Sequence, residues 1–279
     1  MKLHLFNISN FRTDCGAMFG VVPKVLWSRV YSSDENNLIV LSLRSLIVET
    51  AGHKIIVDTG WGDKQDEKFF RHVYLQNGEG LIPGLHRRGY RPEDITDVFL
   101  THLHADHCGG GVKRKDGGDG YELTFPNATY HASQAQWDWA VKNNLREADS
   151  FLHENIFPII ESGHLRLVQE EGELFPGFSV RICYGHTPGL MIPVIQYNNK
   201  ILVYAGDLIP TIAHLPVIWN MSYDIESLKT IAEKEKLLNE ALEGNYILVF
   251  QHDEHYECCT LEMTPKGIRA NDKFDFSRI

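Results

Sequence analysis

Three histidines and one aspartate fall within six consecutive residues, and they are His102, His104, Asp106 and His107. The segment follows the largely apolar run 95–100, which is typical of a buried strand that ends in a loop. His102 and His104 are two residues apart, so at a strand end their side chains can point the same way. A turn after His104 can then bring Asp106 and His107 to a second position. The spacing therefore predicts that one short segment supplies ligands to two metal ions.

The donor types in this segment indicate which metals it would bind. Neutral imidazole nitrogen and carboxylate oxygen together suit zinc best, and manganese, iron and cobalt accept the same donors. The glycines at 109–111 should let the backbone fold tightly behind the ligands, because glycine tolerates positive φ. Cys108 adjoins the ligands. Since free cysteine is often simply buried, we expect Cys108 to pack under the loop rather than to bind metal.

Two further candidates stand where strand-like runs end. His186 lies between a glycine and the turn formed by Thr187 and Pro188, so a rigid backbone would fix its donor nitrogen. Asp207 follows the hydrophobic run 200–204. Burying a lone carboxylate is costly, and bridging two cations would remove that cost. His186 is therefore a candidate donor with a fixed position, and we predict that Asp207 bridges two cations.

The surrounding sequence predicts the elements that must position these side chains. Hairpins are expected over 38–57 and 190–204, helices over about 147–157 and from Asp224 to near Gly244, and a strand over 246–250. Asp224 is expected to be the N-cap of the last helix, because aspartate commonly accepts backbone N–H groups there. The strand that follows leads directly to His252.

The segment HLHADH matches the HxHxDH motif of the metallo-β-lactamase superfamily of hydrolases. The chain resembles in particular the branch that includes methyl parathion hydrolase and the acyl-homoserine-lactone lactonases, and the resemblance runs from about Leu3 to His252. It implies an α/β fold, namely a four-layer αββα sandwich, as a single domain over residues 1–279. It also implies two divalent metal ions, with zinc favoured.

The resemblance implies a complete ligand set. The first ion would be held by His102, His104 and His186, the second by Asp106, His107 and His252, with Asp207 between them. His255 competes with His252, but it lies three residues farther from the strand end. Asp58, in the sequence Asp-Thr-Gly, is implied to orient a ligand histidine, with ordinary turn capping as the alternative.

The same resemblance implies a hydrolase in which a hydroxide bridging the two metals attacks a lactone or ester. Asp106 is expected to be catalytic as well as a ligand, because a carboxylate there could pass a proton to the leaving group. An organophosphate triesterase of the methyl parathion hydrolase type is the nearest alternative. A β-lactamase and a flavodiiron-type redox protein are lesser ones, since they would normally carry cysteine in place of Asp207 and glutamate in place of His104, respectively.

The composition of the chain argues against two classes of binding partner, nucleic acids and membranes. The net charge is −10, from 37 acidic against 27 basic residues, and no long run of Lys or Arg appears, which argues against a nucleic-acid partner. We expect no membrane association and a cytoplasmic location, because no apolar stretch is long enough to span a bilayer and the first residues lack a signal-peptide pattern. Five cysteines without framework spacing fit reduced thiols.

Two apolar segments, 16–27 and 208–221, are too hydrophobic for free loops. They would suit a pocket for a small-molecule substrate with an apolar portion, and His214 would then contact the substrate or its leaving group. Internal packing and burial in a homodimer explain the same residues equally well. The sequence leaves open the physiological substrate, the native metal, the oligomeric state and the role of His214.

Overall fold

Residues 1–76, 78–142 and 144–279 are described by the computed structural model of the chain. Their contacts divide into two units, of which the first comprises Met1–Asn10 and Leu43–Pro176 and the second comprises Phe11–Ser42 and Gly177–Ile279. Each unit has a hydrophobic core of its own. The single domain expected over 1–279 stays a prediction.

The elements are as follows. The strands are β1 (Lys2–Asp14), β2 (Leu38–Thr50), β3 (His53–Val57), β4 (Asp97–Phe99), β5 (Val112–Arg114), β6 (Tyr121–Leu123), β7 (Thr129–Ser133), β8 (Leu165–Val168), β9 (Gly172–Phe175), β10 (Phe178–Cys183), β11 (Leu190–Tyr197), β12 (Lys200–Tyr204), β13 (Ile247–Val249), β14 (Cys258–Thr264) and β15 (Gly267–Phe274). The helices are α1 (Cys15–Phe19), α2 (Lys24–Trp27), α3 (Glu67–Val73), α4 (Leu81–Arg87), α5 (Ala105–Cys108), α6 (Gln134–Ala140), α7 (His153–Glu161) and α8 (Ser227–Glu243). Among the described residues, no helix is both long enough and apolar enough to cross a membrane.

The sheet of the first unit has the strand order β1-β2-β3-β4-β7-β8. The hairpin of β2 and β3 is antiparallel, as the sequence predicts, and β3, β4, β7 and β8 pair in parallel. Strands in parallel sheets read as nearly continuous apolar runs, and Ile55, Ile56 and Val57 of β3 are accordingly fully buried. Strand β4 leads into the histidine-rich segment.

Asp97 ties the first three parallel strands together at the base of β4. Its carboxylate lies 2.8 Å from His53 Nδ1 on β3 and 2.8 Å from His131 Nε2 on β7, and Thr96 donates a hydrogen bond to it. Burial by itself would raise the pKa of Asp97, but the hydrogen bonds from His131, Thr96 and His53 outweigh it and lower the pKa. This network holds in register the strand that delivers the ligands.

The sheet of the second unit runs in the order β15-β14-β13-β12-β11-β10. The predicted hairpin of β11 and β12 is present, and Asn198 and Asn199 take positive φ values of 48° and 59° at its turn. Strands β12 and β13 pair in parallel, so their carboxyl ends point the same way. Asp207 and His252 follow these two strands.

Two helix predictions need correction. Helix α7 begins at His153, so Glu147 lies in the turn that precedes it rather than in the predicted helix over 147–157. Helix α8 begins at Ser227, with Glu226 at the N-cap position, so Asp224 does not cap it. Both acidic residues have other contacts, and these decide their roles below.

Candidate metal centre

The four predicted ligands of the first unit lie together after β4. His102 Nε2 faces His104 Nδ1 at 3.0 Å, and the rings of His102 and His107 have centroids 3.9 Å apart. Asp106, on α5, places its Oδ2 3.4 Å from His107 Nε2. The three histidines are buried. One short segment therefore gathers three imidazoles and a carboxylate, as its spacing predicts.

Asp58 organises the base of this cluster. Its carboxylate accepts hydrogen bonds from the Thr101 backbone N–H and the Thr101 hydroxyl, both at 2.8 Å, and lies 2.9 Å from His107 Nδ1. Because His107 donates its Nδ1 proton to Asp58, its Nε2 is left to face Asp106. The Thr101 hydroxyl also lies 3.1 Å from His102 Nδ1 and orients that ring. Asp58 thus orients a predicted ligand rather than capping a turn.

Glu147 orients the remaining histidine of the first unit. Its Oε1 lies 3.0 Å from His104 Nε2, while its Oε2 accepts hydrogen bonds from Trp139 Nε1 and Asn144 Nδ2. His104 therefore turns Nδ1, not Nε2, toward His102. Sequence reasoning assigned Glu147 to a helix and missed this contact, which spans 43 positions of the chain.

The second unit brings its three predicted ligands together around one carboxylate. Asp207 Oδ2 lies 3.3 Å from His186 Nε2, and Asp207 Oδ1 lies 3.0 Å from His252 Nε2. All three residues are buried. Each carboxylate oxygen thus faces a different imidazole, which is the arrangement expected of a bridging ligand.

Both imidazoles of the second unit are also held from behind. Asp224 Oδ1 lies 3.0 Å from His186 Nδ1, and the Ser42 carbonyl accepts a hydrogen bond from His252 Nδ1 at 2.9 Å. Asp224 Oδ2 accepts the backbone N–H of Met221, which places the carboxylate firmly. Asp224, expected to be a helix cap, is therefore a positioning residue for His186.

The donor set fits divalent metal ions. Each of the five histidines has one ring nitrogen held by a protein acceptor, and these acceptors are Thr101, Glu147, Asp58, Asp224 and Ser42. The other nitrogen of each ring faces a neighbouring candidate ligand. Metal-ligating histidines characteristically donate their second N–H in this way, and neutral imidazole with carboxylate is a donor set that zinc accepts.

The glycines behind the ligand helix α5 allow close approach of two backbones. A Cβ on Gly109 would lie 2.2 Å from the Trp61 carbonyl oxygen, and one on Gly110 would lie 2.2 Å from that of Thr59. Gly109 has φ of −56°, so the positive φ expected from the sequence is not the reason for glycine here. The lack of a side chain is what these positions require.

Two nearby candidates are not placed as ligands. The Cys108 thiol is buried and donates to the Leu103 carbonyl at 3.3 Å, and burial raises its pKa to about 12, so it stays protonated. His255 is exposed, and its ring stacks on the Tyr31 ring with the two centroids 5.9 Å apart. His252, rather than His255, contacts Asp207.

His214 has a structural role. The Met18 carbonyl lies 2.8 Å from Nε2, so Nε2 carries the proton, and Nδ1 accepts from the Thr211 hydroxyl at 2.8 Å. The ring stacks on Phe19 at 4.7 Å. Burial and the charge of Lys234 lower the pKa of His214 to about 3, which keeps the ring neutral. Both nitrogens are used inside the protein, so His214 does not present one to a substrate.

The apolar segment 16–27 is divided between the interior and the surface. Phe19 and Trp27 are buried and stack on one another with centroids 6.0 Å apart, which supports internal packing for these two side chains. Val21 and Val25 are exposed, at 96% and 68% of their surface. Burial of this exposed part in a homodimer stays a prediction.

Comparison with known proteins gives a consistent family. The model described as the metallo-beta-lactamase superfamily matches residues 41–252. A solved structure of a probable metal-dependent hydrolase from Staphylococcus aureus has 30% sequence identity and a TM-score of 0.89, and the alignment covers 98% of this chain and 96% of that one. The expected fold class is therefore confirmed.

Two further relatives are lactonases. An N-acyl homoserine lactonase from Bacillus cereus is 25% identical over 177 residues, or 60% of this chain and 63% of the relative, so the chain covers less than two thirds of that protein. The structure of AidC, described as a dizinc quorum-quenching lactonase in complex with a product, has 22% identity and a TM-score of 0.79 over 98% of this chain and 95% of that one. At 22% identity, the similarity to AidC is evidence for the fold alone.

Proposed function

The chain belongs to the metallo-β-lactamase superfamily of metal-dependent hydrolases, and we propose that it is a binuclear zinc enzyme that opens a lactone or an ester. The observation that carries the proposal is the orientation of the five histidines, each of which has one ring nitrogen held by a protein acceptor. A histidine that only packs in the interior or lies in a solvent-exposed loop does not need a fixed ring orientation. A ligand does, because the free nitrogen must stay aimed at the ion.

In the proposed centre the donors divide between two ions. The first is assigned to His102, His104 and His186, the second to Asp106, His107 and His252, and Asp207 serves both. The face-to-face nitrogens of His102 and His104, 3.0 Å apart, support the first group. The two carboxylate oxygens of Asp207, each against a different imidazole, support its shared role.

The proposed chemistry depends on how the protein holds these donors. Divalent ions bound there would lower the pKa of water toward neutrality and polarise the carbonyl oxygen under attack. The hydrogen bonds that His107, His104 and His186 donate to Asp58, Glu147 and Asp224 fix the ring orientations in advance, so little rearrangement would be needed during the reaction. Asp106, whose side chain is 18% exposed, would take the proton that the attacking water loses as the new C–O bond forms, and would deliver it to the alkoxide oxygen that leaves when the ester C–O bond breaks.

The lactone or ester class rests on the relatives. Lactonases from Bacillus are among the matching curated proteins, at 23% to 25% identity. We propose a small-molecule substrate with an apolar portion, and no nucleic-acid or membrane partner.

Metal analysis of the purified chain, combined with a substrate panel, tests the proposal. The panel is an N-acyl homoserine lactone, an aryl ester, a phosphotriester and a β-lactam. Two zinc ions per chain and turnover of the lactone or ester are expected. If only the phosphotriester or only the β-lactam were hydrolysed, the proposed lactone or ester class would be wrong, and the hydrolysed compound would give the substrate class instead. A chain that binds no divalent metal would overturn the whole proposal.

A pair of histidine variants gives a matched control. His252→Ala should lower the metal content and reduce kcat/KM by at least roughly 100-fold, since even residues that only orient ligands typically cost 10-fold to 100-fold. His255→Ala removes an exposed imidazole three positions away and should leave both unchanged. Equal effects of the two variants would contradict the ligand assignment.

A further inference from the structure

The second unit contains a cleft that none of the seven proposed ligands lines. Its volume is about 520 Å³, and it lies between the segment 29–31, the loop 212–219 and strand β15. Cavities of roughly 300 to 1,000 Å³ are the size that small organic ligands fill. The cleft is therefore large enough for a ligand of its own.

Three cationic side chains line this cleft, those of Arg29, Arg269 and Lys273. Within the part of the chain that the structure describes, none of the three makes an ion pair with a carboxylate. Other cations of the second unit do pair, for example Arg278, which lies 2.7 Å from Asp272. On a chain of net charge −10, three cations gathered without acidic partners are a local exception. Their charge would attract an anion.

The acidic residue in the lining does not cancel this charge locally. The Asp253 carboxylate is buried and accepts backbone N–H groups from Ile212, His255 and Tyr256, each at 2.9 Å. Its oxygens are thus turned toward the backbone, where those donors stabilise the negative charge. Asp253 therefore does not neutralise the positive charges of Arg269, Lys273 and Arg29, which can attract a bound anion.

The rest of the lining is aromatic and apolar. Tyr31 is buried, Trp219 is half-buried, and Lys273 Nζ lies 5.0 Å from the Tyr256 ring centroid. The Tyr31 hydroxyl accepts the Glu254 backbone N–H at 3.4 Å, so that wall is held by the protein itself. A ligand with a flat apolar body would pack on these rings, and its anionic head would meet the cations.

We infer that this cleft binds a small organic anion, with a carboxylate or phosphate-type head on an aromatic body. The inference is independent of the proposed metal centre. Binding would place the head near Arg269 and Lys273 and the ring against Trp219 and Tyr256. It would weaken with added salt, because charge pairs at the mouth of a cleft are screened.

Isothermal titration of the purified chain tests this inference with defined probes. 2-Naphthoate and 2-naphthylphosphonate carry the two kinds of head on the same ring, 2-naphthol has the ring without the charge, and inorganic phosphate has the charge without the ring. We expect at least one of the two aryl anions to bind more tightly than both 2-naphthol and phosphate. The tighter of the two identifies the head group. If neither aryl anion binds more tightly than both 2-naphthol and phosphate, the inference is overturned.

A charge-matched pair of double variants locates the site. The double variant Arg269→Gln with Lys273→Gln should weaken aryl-anion binding by roughly 10-fold or more, because each substitution removes a charged donor that would contact the anion. Lys200→Gln with Lys266→Gln removes the same charge from two exposed lysines outside the cleft, one at the start of β12 and one in a turn, and should have little effect. Hydrolase activity should be unchanged in both. Equal weakening in the two pairs, or binding abolished by a chelator but not by the first pair, would contradict the assignment.

Discussion

Each proposed imidazole ligand has its ring orientation set by one neighbouring atom, and for His186 that atom belongs to Asp224. The same carboxylate accepts both the His186 Nδ1 proton and the Met221 backbone N–H. Its two oxygens are therefore both needed as acceptors. A carboxylate that accepts a hydrogen bond from a metal-ligating histidine raises the basicity of the imidazole and also fixes its tautomer.

Asp224→Asn should weaken metal binding without removing a ligand. The asparagine side chain has only one oxygen, so either His186 or Met221 would face an amide donor instead of an acceptor. We expect metal affinity to fall by roughly 10-fold to 100-fold, measured by competition with a chromophoric chelator. Glu226→Gln is the control, because Glu226 is exposed beside the same helix. Unchanged affinity in Asp224→Asn would contradict the positioning role.

The sequence could mark Asp58 but not Glu147 or Asp224, for a physical reason. Asp58 lies in an Asp-Thr-Gly turn that directly follows a strand, and the resemblance to the family attaches a role to that short local motif. Glu147 reaches His104 from a turn 43 positions away, and Asp224 reaches His186 across 38 positions. A carboxylate near a helix start resembles a cap in sequence, and only tertiary packing shows that it serves a histidine instead.

His214 should make stability depend on pH. Its pKa falls from the ordinary value of 6.5 to about 3 in the folded protein, because burial and then the charge of Lys234 disfavour protonation. Between these values the unfolded chain binds more protons. The free energy of unfolding should therefore rise with pH across that window, and the contribution is fully present above 6.5 and lost as pH falls toward 3.

Urea unfolding of the wild type and of His214→Gln at a series of pH values measures this contribution. The variant should be less stable at neutral pH, because the hydrogen bonds to Met18 and Thr211 are disturbed. The difference between the two proteins should shrink on acidification by at most about 1.4 kcal/mol per pH unit. A difference that stays constant between pH 7 and pH 4.5 would show that His214 does not carry the effect.

At the scale of elements, the ligand helix α5 is held against the loop that contains Asp58. The Lys64 ammonium, which is buried, donates to the Gly109 carbonyl at the end of α5, and Arg114 Nε donates to the Lys64 carbonyl at 2.8 Å. The Thr59 backbone N–H donates to the His107 carbonyl at 2.7 Å. These backbone contacts fix α5, and with it the places of Asp106 and His107.

Gly110→Ala should disrupt that packing. The new Cβ would lie 2.2 Å from the Thr59 carbonyl oxygen, so one of the two backbones must move. Overpacking of this kind typically costs about 1–3 kcal/mol of unfolding free energy, and we expect a matching loss of melting temperature. Gly118→Ala is the control, since nothing lies within 4 Å of its Cβ and its effect should stay within about 0.5 kcal/mol. Equal melting temperatures would contradict the close-approach argument.

The elements that sequence could predict are those with strong local signals. The hairpin turn at Asn198 and Asn199 is one, because the two asparagines favour the positive φ that the turn requires. The predicted start of α7 at 147 lies six residues before His153, and the predicted N-cap of α8 at Asp224 lies two residues before the observed N-cap at Glu226. Acidic residues ahead of both helices fit several cap positions, and the local pattern does not choose between them.

For the molecule as a whole, the proposed ligands are shared between the two units. His102, His104, Asp106 and His107 belong to the first unit, and His186, Asp207 and His252 belong to the second. Each unit folds around its own hydrophobic cluster. If the proposed centre forms, metal binding requires folding to bring together ligands that are far apart in the sequence. Ions would then stabilise the native chain as a whole.

Chelation should therefore lower the melting temperature of the metal-loaded protein. A ligand that binds only the folded state adds about 2.7 kcal/mol when its free concentration is 100 times its Kd. Differential scanning calorimetry before and after EDTA treatment, and after zinc is returned, measures this shift. In Asp207→Asn the shift should be much smaller, because a residue proposed to serve both ions has lost its charge. His255→Ala should keep the full shift, and a wild-type protein whose melting temperature ignores EDTA would argue against bound metal in the native state.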